Sequence, residues 1–373
     1  MSRERGGGSH EPRAGSRERR AATNEPRAAS REPRGEKAGA GRKGAFTPER
    51  YVPVCILLFL VVLPYSLPNP FYVHIIVMMA IYVVLGGAWN ILSGYAGQLS
   101  LGHAAFFGTG AYVSTLLVNA YGVSPWITLW LGGLVALLLS LPVGRLCFRL
   151  QGPYFTIATI GLGEALRLLV LHFREITNGA QGLTVPYKGS APWLLQFDSK
   201  MPYYYIALAM SIGVILITRR MEQSRLGHYL VAIGQNQDAA EALGIDSARA
   251  KQQALMLSAF LTGVGGVFYA QYTYVIYPDG AFGLGQSIQI ALVAIVGGVG
   301  TILGPAIGAV IMELFVQSTQ IIFAGQYPGL ELMIYGCLLV AVILWRPRGV
   351  IPLFQRLYQG VVARLPGAGG ADA

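Results

Sequence analysis

Apolar runs, one after another from Tyr51 to Trp345, decide what this chain can fold into. About ten can be marked, at roughly 51–68, 71–92, 102–119, 126–147, 153–173, 202–218, 254–276, 286–300, 303–324 and 329–345. Most approach the ~20 residues that carry a helix across ~30 Å of hydrocarbon. Lipid offers no partner to a backbone N–H or C=O, so runs of this length must satisfy themselves as helices. The expectation is an all-α polytopic membrane protein with about ten transmembrane helices. The runs at 102–119 and 286–300 are shorter and glycine-rich, which predicts broken or short helices there; losing one pair would leave eight crossings. A composition of 53% hydrophobic and 12% charged residues, with mean hydropathy +0.49, is far more apolar than that of a soluble globular protein.

Charge sets the orientation. Residues 1–50 hold 13 Lys/Arg and 7 Asp/Glu, leaving 15 basic and 11 acidic side chains for the other 323 residues. Glu-Pro-Arg recurs in this tail at 11–13, 25–27 and 32–34 among Gly, Ala and Ser. Such a segment buries too little apolar surface to offset its ordering entropy, so 1–50 is expected to be a disordered basic cytoplasmic tail. Ten crossings from inside put Arg145, Arg149, the stretch 219–253 and a C-terminal tail at 351–373 on the same side as the N-terminus. The opposite side keeps chiefly Arg174, Lys188 and Lys200. Both termini are therefore expected in the cytoplasm, around a transmembrane domain at 51–350. The basic excess carries no aromatic–basic interleaving and no zinc-ligand spacing, which speaks against nucleic acid. Cys55, Cys147 and Cys337 lie in or beside apolar runs and read as small core residues.

The polar island Arg219–Gln253 interrupts the apolar succession. Within it Asn236 is a good N-cap, Gln237 to Leu243 are mostly helix formers, and Gly244 stands where a left-handed cap would end a helix. Ile245 can then fold back onto the last turn. Two turns of helix are not stable alone in water, so this piece needs a docking surface.

A second unusual stretch, Trp89–Tyr112, places Asn90, Ser93, Gln98, Ser100 and His103 among five glycines. Two readings stand: a non-helical break between half-helices whose polar groups are paired or face a wet cavity, or a cytoplasm-side turn meeting water. Glu164 and Arg167 lie three apart on one helix face and can neutralise each other. Glu313 is another acid inside a run; either acid can be a paired structural residue or a functional one. The loop from Thr177 to about residue 201 is an ordinary polar loop, a gate, or a surface for an external partner. The chain has no Gly-x4-Gly-Lys-Ser/Thr phosphate loop, no nucleophilic triad and no metal-ligand spacing.

In combination these motifs carry a resemblance. The segment 89–112, Gly152–Thr159, Thr177–Gly182, Ala239–Ile245, Val296–Pro305 and Trp345–Val350 resemble the permease subunits of bacterial high-affinity branched-chain amino-acid ABC importers over about residues 70–350. The resemblance implies a multi-pass protein of the bacterial inner (plasma) membrane, the lipid bilayer being its medium, that is no enzyme and binds no cofactor itself. Two cytoplasmic ATP-binding subunits would use ATP and Mg, a second permease subunit would complete a heterodimer, and an extracytoplasmic solute-binding protein would deliver cargo. Such permeases carry Glu-Ala-Ala-x3-Gly on a helix that docks on the ATPase. The corresponding residues here are Asp238, Ala239, Ala240, Glu241, Leu243 and Gly244, with Asp for Glu at the first position. Asn90, Gln98, Ser100, His103 and Glu164 are the candidates for a solute pathway.

The same broad family resembles permeases for urea, short amides and simple sugars, which leaves cargo open. An ion-coupled secondary transporter working through Glu164 or Glu313, and a passive channel, are the readings of another class; neither has a use for an ATPase-docking helix.

Overall fold

The computed structural model describes residues 48–67, 69–150, 152–323, 333, 336–337 and 350. The tail 1–47, most of the run 329–345 and the tail 351–373 lie outside the described residues. Met1–Pro53 and Val54–Ala373 form separate units, and of the first only 48–53 are described, where helix α1 begins.

In chain order the helices are α1 (Pro48–Val62), α2 (Pro70–Trp89), α3 (His103–Tyr121), α4 (Pro125–Cys147), α5 (Pro153–His172), α6 (Arg174–Thr177), α7 (Met201–Glu222), α8 (Arg225–Gln235), α9 (Gln237–Ala242), α10 (Ser247–Thr273), α11 (Pro278–Phe282), α12 (Leu284–Gly297) and α13 (Gly304–Phe323). Proline opens many of them, at Pro70, Pro125, Pro153 and Pro278 and as Pro202 in α7. A first-turn N–H has no helical partner, so proline loses nothing there and presets φ. Asn69 adds a cap, its Oδ1 accepting from Phe71 N at 2.9 Å. The strands β1 (Leu183–Thr184) and β2 (Val275–Ile276) pair antiparallel, Leu183 opposite Ile276, and pin the loop after α6 to the end of α10.

Six segments among the described residues are long and apolar enough to cross a membrane: 70–94, 125–147, 153–172, 201–222, 247–273 and 278–297. The chain is an α-helical, polytopic membrane protein. Segments 70–94 and 247–273 are central, 83% and 72% buried, whereas 153–172 is only 22% buried and lies at the periphery. Helix α10 packs against α2, α3 and α4. Its approach to α3 and α4 requires glycine: a Cβ on Gly110 of α3 would run into the Gly263 carbonyl, and one on Gly263 would come within 2.6 Å of Ala136 Cβ on α4.

One expectation needs correcting. The run 102–119 is not broken; α3 is continuous over His103–Tyr121, because its glycines are consumed by close packing rather than by turns. The break comes before it, between α2 and α3. The short run 286–300 does follow an interruption, with α11 and α12 meeting at the extended Gly283. The island 219–253 holds more helix than the one short piece expected. It holds the end of α7, all of α8 and α9, and the first two turns of α10.

Candidate functional site

Helix α9 is six residues long and closed at both ends by local chemistry. Asn236 Oδ1 accepts from Ala239 N at 3.1 Å. Asp238 lies in the first turn, where a negative charge meets the positive end of the helix dipole. At the other end Gly244 adopts φ 85°, its N–H donates to Glu241 O at 2.9 Å, and Ile245 N donates to Ala240 O at 3.1 Å. This is the paired bonding of a left-handed helix stop, and the positive φ explains the glycine.

The helix has an inner and an outer face. Ala240 is buried, at 3% exposure, against the protein. Asp238, Ala239, Glu241, Ala242 and Gly244 are exposed, and Leu243 is 83% exposed. Leu243 thus points away from the protein on the same side as the two carboxylates. The Gln237 amide donates to Glu241 Oε1 at 2.9 Å and holds that carboxyl below the usual carboxylate range. Gln237 also accepts from Lys251 Nζ at 2.6 Å. Lys251 is 2% exposed and belongs to α10, so the short helix is tied to a central span.

Helix α8 escaped the reading of the island. Gly227, Leu230 and Ile233 line its buried face, while Tyr229 and Val231 are exposed beside α9. Ser224 caps it, accepting from Gly227 N at 3.4 Å. The spacing of Leu226, Leu230 and Ile233, with Ser224 just ahead, is the signal that finds it. Near its end Gly234 lies on the backbone of the stretch after α2. A Cβ on Gly97 would be 3.3 Å from Gly234 Cα, and one on Gly234 would be 2.6 Å from Tyr95 O.

That stretch is the break. α2 passes into a π-helical turn at Asn90–Gly94, the chain runs without regular structure to Gly102, and α3 starts at His103. The contact with Gly234 places the break at the island's end of the bundle, yet its polar side chains are turned into protein rather than into water. Asn90, Ser100 and His103 are at most 1% exposed. Asn90 Nδ2 donates to Thr301 O and its Oδ1 accepts from Gly300 N, both at 2.8 Å. Trp89 Nε1 donates to Ser100 O at 2.7 Å. Ser258 on α10 donates to Ala88 O at 2.6 Å and lies 2.8 Å from His103 Nε2; Ser100 Oγ lies 3.1 Å from Nδ1. A neutral imidazole with its proton on Nε2 satisfies this chain of bonds. Thr156 and Thr159 of α5 bond Leu99 O and Leu101 N at 2.8 and 3.1 Å. Gln98 is half-buried.

Glu164 stands apart from these residues, on α5. Arg167 Nε and Nη2 grip Glu164 at 2.9 and 2.6 Å, and Nη1 reaches Asp279 Oδ1 at 2.6 Å. The side chains of Arg167, Glu164 and Asp279 are 23%, 48% and 79% exposed. Two carboxylates on one guanidinium leave a net negative charge where α11 meets the least buried candidate span. Asp279, which follows the first proline of α11, is a partner 112 residues away. Glu313 is instead buried, its Oε1 accepting from Gln317 Nε2 at 2.7 Å.

Residues 71–343 match the family model described as branched-chain amino acid transport system / permease component. The α9 helix, the break after α2 and the Glu164–Arg167–Asp279 cluster all fall inside that match. The chain is 27% identical over 332 residues to the high-affinity branched-chain amino acid transport system permease protein LivM of Salmonella typhimurium, covering 83% of this chain and 76% of the relative. LivM of Escherichia coli is 26% identical with the same coverage. The permease protein LivH of Escherichia coli is 22% identical over 285 residues, covering 72% of this chain and 91% of that one. No solved structure matches the chain significantly.

Proposed function

We infer the following from the premise that this chain belongs to the branched-chain amino acid transport permease family: it is the membrane-spanning translocation subunit of an ATP-driven importer, and its cargo is branched-chain amino acids. ATP is hydrolysed on separate subunits, where Mg would act with it. Two of those subunits, a second permease and an extracytoplasmic solute-binding protein complete the assembly. The membrane domain at 51–350 makes ten crossings, with both termini and the tails 1–50 and 351–373 in the cytoplasm.

What carries this function is α9. Six residues do not hold a helix in water. Here Asn236 and Gly244 close the helix, Ala240 seats it and Lys251 fastens it to α10, while Leu243 is left outward. Asp238, Ala239, Glu241, Leu243 and Gly244 form the face that enters a groove on the ATPase, and Ala240 forms the seat beneath. Movement of the ATPases reaches the membrane by two routes: through Lys251 into α10, and through Gly234 onto the break at Tyr95–Gly97. Asn90, Ser100 and His103 hold that break in shape. The solute pathway runs past Gln98 and along the charged face of α5, where Glu164, Arg167 and Asp279 offer both charge signs to a zwitterion. A charged face on a span is tolerated only where it meets water or protein rather than lipid.

Uptake of labelled leucine into vesicles holding the assembled transporter tests the proposal. Uptake should stop when the ATPases carry an inactivating substitution. Uptake that continues, and collapses with the proton gradient, would instead support ion coupling through Glu164 or the buried Glu313. Competition by leucine but not by urea or a simple sugar would identify the cargo.

A further inference from the structure

At the island's end of the bundle, the last turn of α4 and the first turns of α10 enclose a cleft of about 460 Å³. Arg145 enters it from α4, Arg149 from the turn just after α4 and Arg249 from α10, and Phe148 and Gln252 form part of its wall. Asp246 is the acid in its lining, and that acid is already engaged. Its Oδ1 accepts from Arg249 N at 3.0 Å, capping α10, and its Oδ2 pairs with Arg249 Nε at 3.3 Å. The guanidiniums of Arg145 and Arg149 are thus the net charge of the cleft. Its wall is fixed: Gln252 Nε2 donates to Ser140 O at 3.1 Å, and Phe148 stacks on Phe155 with ring centroids 5.5 Å apart.

Both helices are membrane spans by length and hydropathy, so the cleft lies where hydrocarbon gives way to water. An apolar track leads into it. Trp130, Leu134 and Leu138 are exposed at 63%, 46% and 52%, their four-residue spacings keep them along one side of α4, and Arg145 follows Leu138 two turns on. An outward apolar stripe on a span faces acyl chains, and it ends beside two unneutralised arginines. That pairing matches one amphiphile: acyl chains on the stripe and a phosphate in the guanidinium cleft, where planar nitrogen forks suit phosphate oxygens.

We propose that this cleft is a binding site for the phosphate headgroup of an anionic phospholipid from the leaflet on the island's side. Its occupant fastens the start of α10 to the end of α4, four residues from Gln237's partner Lys251 at the near end of α10. The site does not depend on which solute is carried.

The assembled transporter, reconstituted in phosphatidylcholine with added phosphatidylglycerol and then extracted in mild detergent, is analysed by native mass spectrometry for retained lipid. The wild type should retain phosphatidylglycerol in preference to phosphatidylcholine. An Arg145→Gln/Arg149→Gln variant should retain it roughly thirtyfold less, given the usual contribution of two basic side chains near anionic lipid. An Arg145→Lys/Arg149→Lys variant should keep most of it, which separates loss of charge from loss of fold. Equal retention by the glutamine variant would overturn the proposal. So would displacement of the lipid by inorganic phosphate at equal headgroup concentration, which would make the cleft a plain anion site. Loss of the ATPases from the glutamine variant with lipid retention unchanged would assign the arginines to protein docking and overturn it as well.

Discussion

Lys251 Nζ, in the second turn of α10, donates to Gln237 Oε1 at 2.6 Å, and so joins a buried ammonium on a central span to the first residue of a surface helix. This bond ties the six-residue helix to α10, alongside its own caps and the buried Ala240.

The joint should respond asymmetrically to substitution. Gln237→Leu leaves a buried ammonium without its acceptor, whereas Lys251→Met removes the charge and keeps the length of the side chain. Leaving a buried charged donor unmade costs about 1.5–3 kcal/mol, more than removing both partners. Thermal unfolding should therefore rank Gln237→Leu as the more harmful, with the double variant recovering stability. Additive losses in the double variant would mean the two side chains do not couple.

Leu243 and Ala240 should separate docking from folding. Leu243→Asp alters a side chain that touches nothing inside, so the melting temperature should stay within experimental scatter while ATPase association falls at least tenfold. Ala240→Trp forces a large ring into a filled seat at a cost of roughly 1–3 kcal/mol and should dislodge α9 itself. Size-exclusion of each variant with the ATPases, beside its unfolding curve, distinguishes the two.

Gly234 should act at a distance. Gly234→Val would push into Tyr95 O and displace the break, so uptake should fall by more than tenfold while the ATPases remain bound. Unchanged uptake would show that the contact carries no motion.

Arg167→Met should leave Glu164 and Asp279 as two uncompensated carboxylates. Pairs this exposed contribute about 0–1 kcal/mol, so stability should change little. Leucine counterflow should nonetheless drop markedly if this face borders the pathway. Unaltered counterflow would place the cluster away from the solute.

Much of this was legible where the information is local. Asn236, Gly244 and Ile245 specify the two ends of α9 by backbone chemistry alone, and the structure forms both ends at those residues. Glu164 and Arg167, three apart, pair as the helical repeat requires. What the sequence hid depends on packing between distant segments. Asp279 reaches Arg167 because α11 packs on α5, and the buried side of Ala240 is set by α8 and α10 rather than by its neighbours in sequence. The glycines of α3 looked like breakers because nothing local tells a glycine that turns the chain from one that admits another backbone. The polar residues Asn90, Ser100 and His103 marked the irregular stretch, but the partners their side chains find, Thr301 and Gly300 for Asn90, His103 for Ser100 and Ser258 for His103, are set by distant packing or by the turn itself.

The most direct test of the whole account is ATP hydrolysis by the reconstituted transporter, measured before and after solute-loaded binding protein is added. Wild type should be stimulated several-fold, and Leu243→Asp should stay at the basal rate although it is inserted and folded. Equal stimulation of the two would contradict the assignment of α9 as the place where ATP-driven motion reaches the membrane domain.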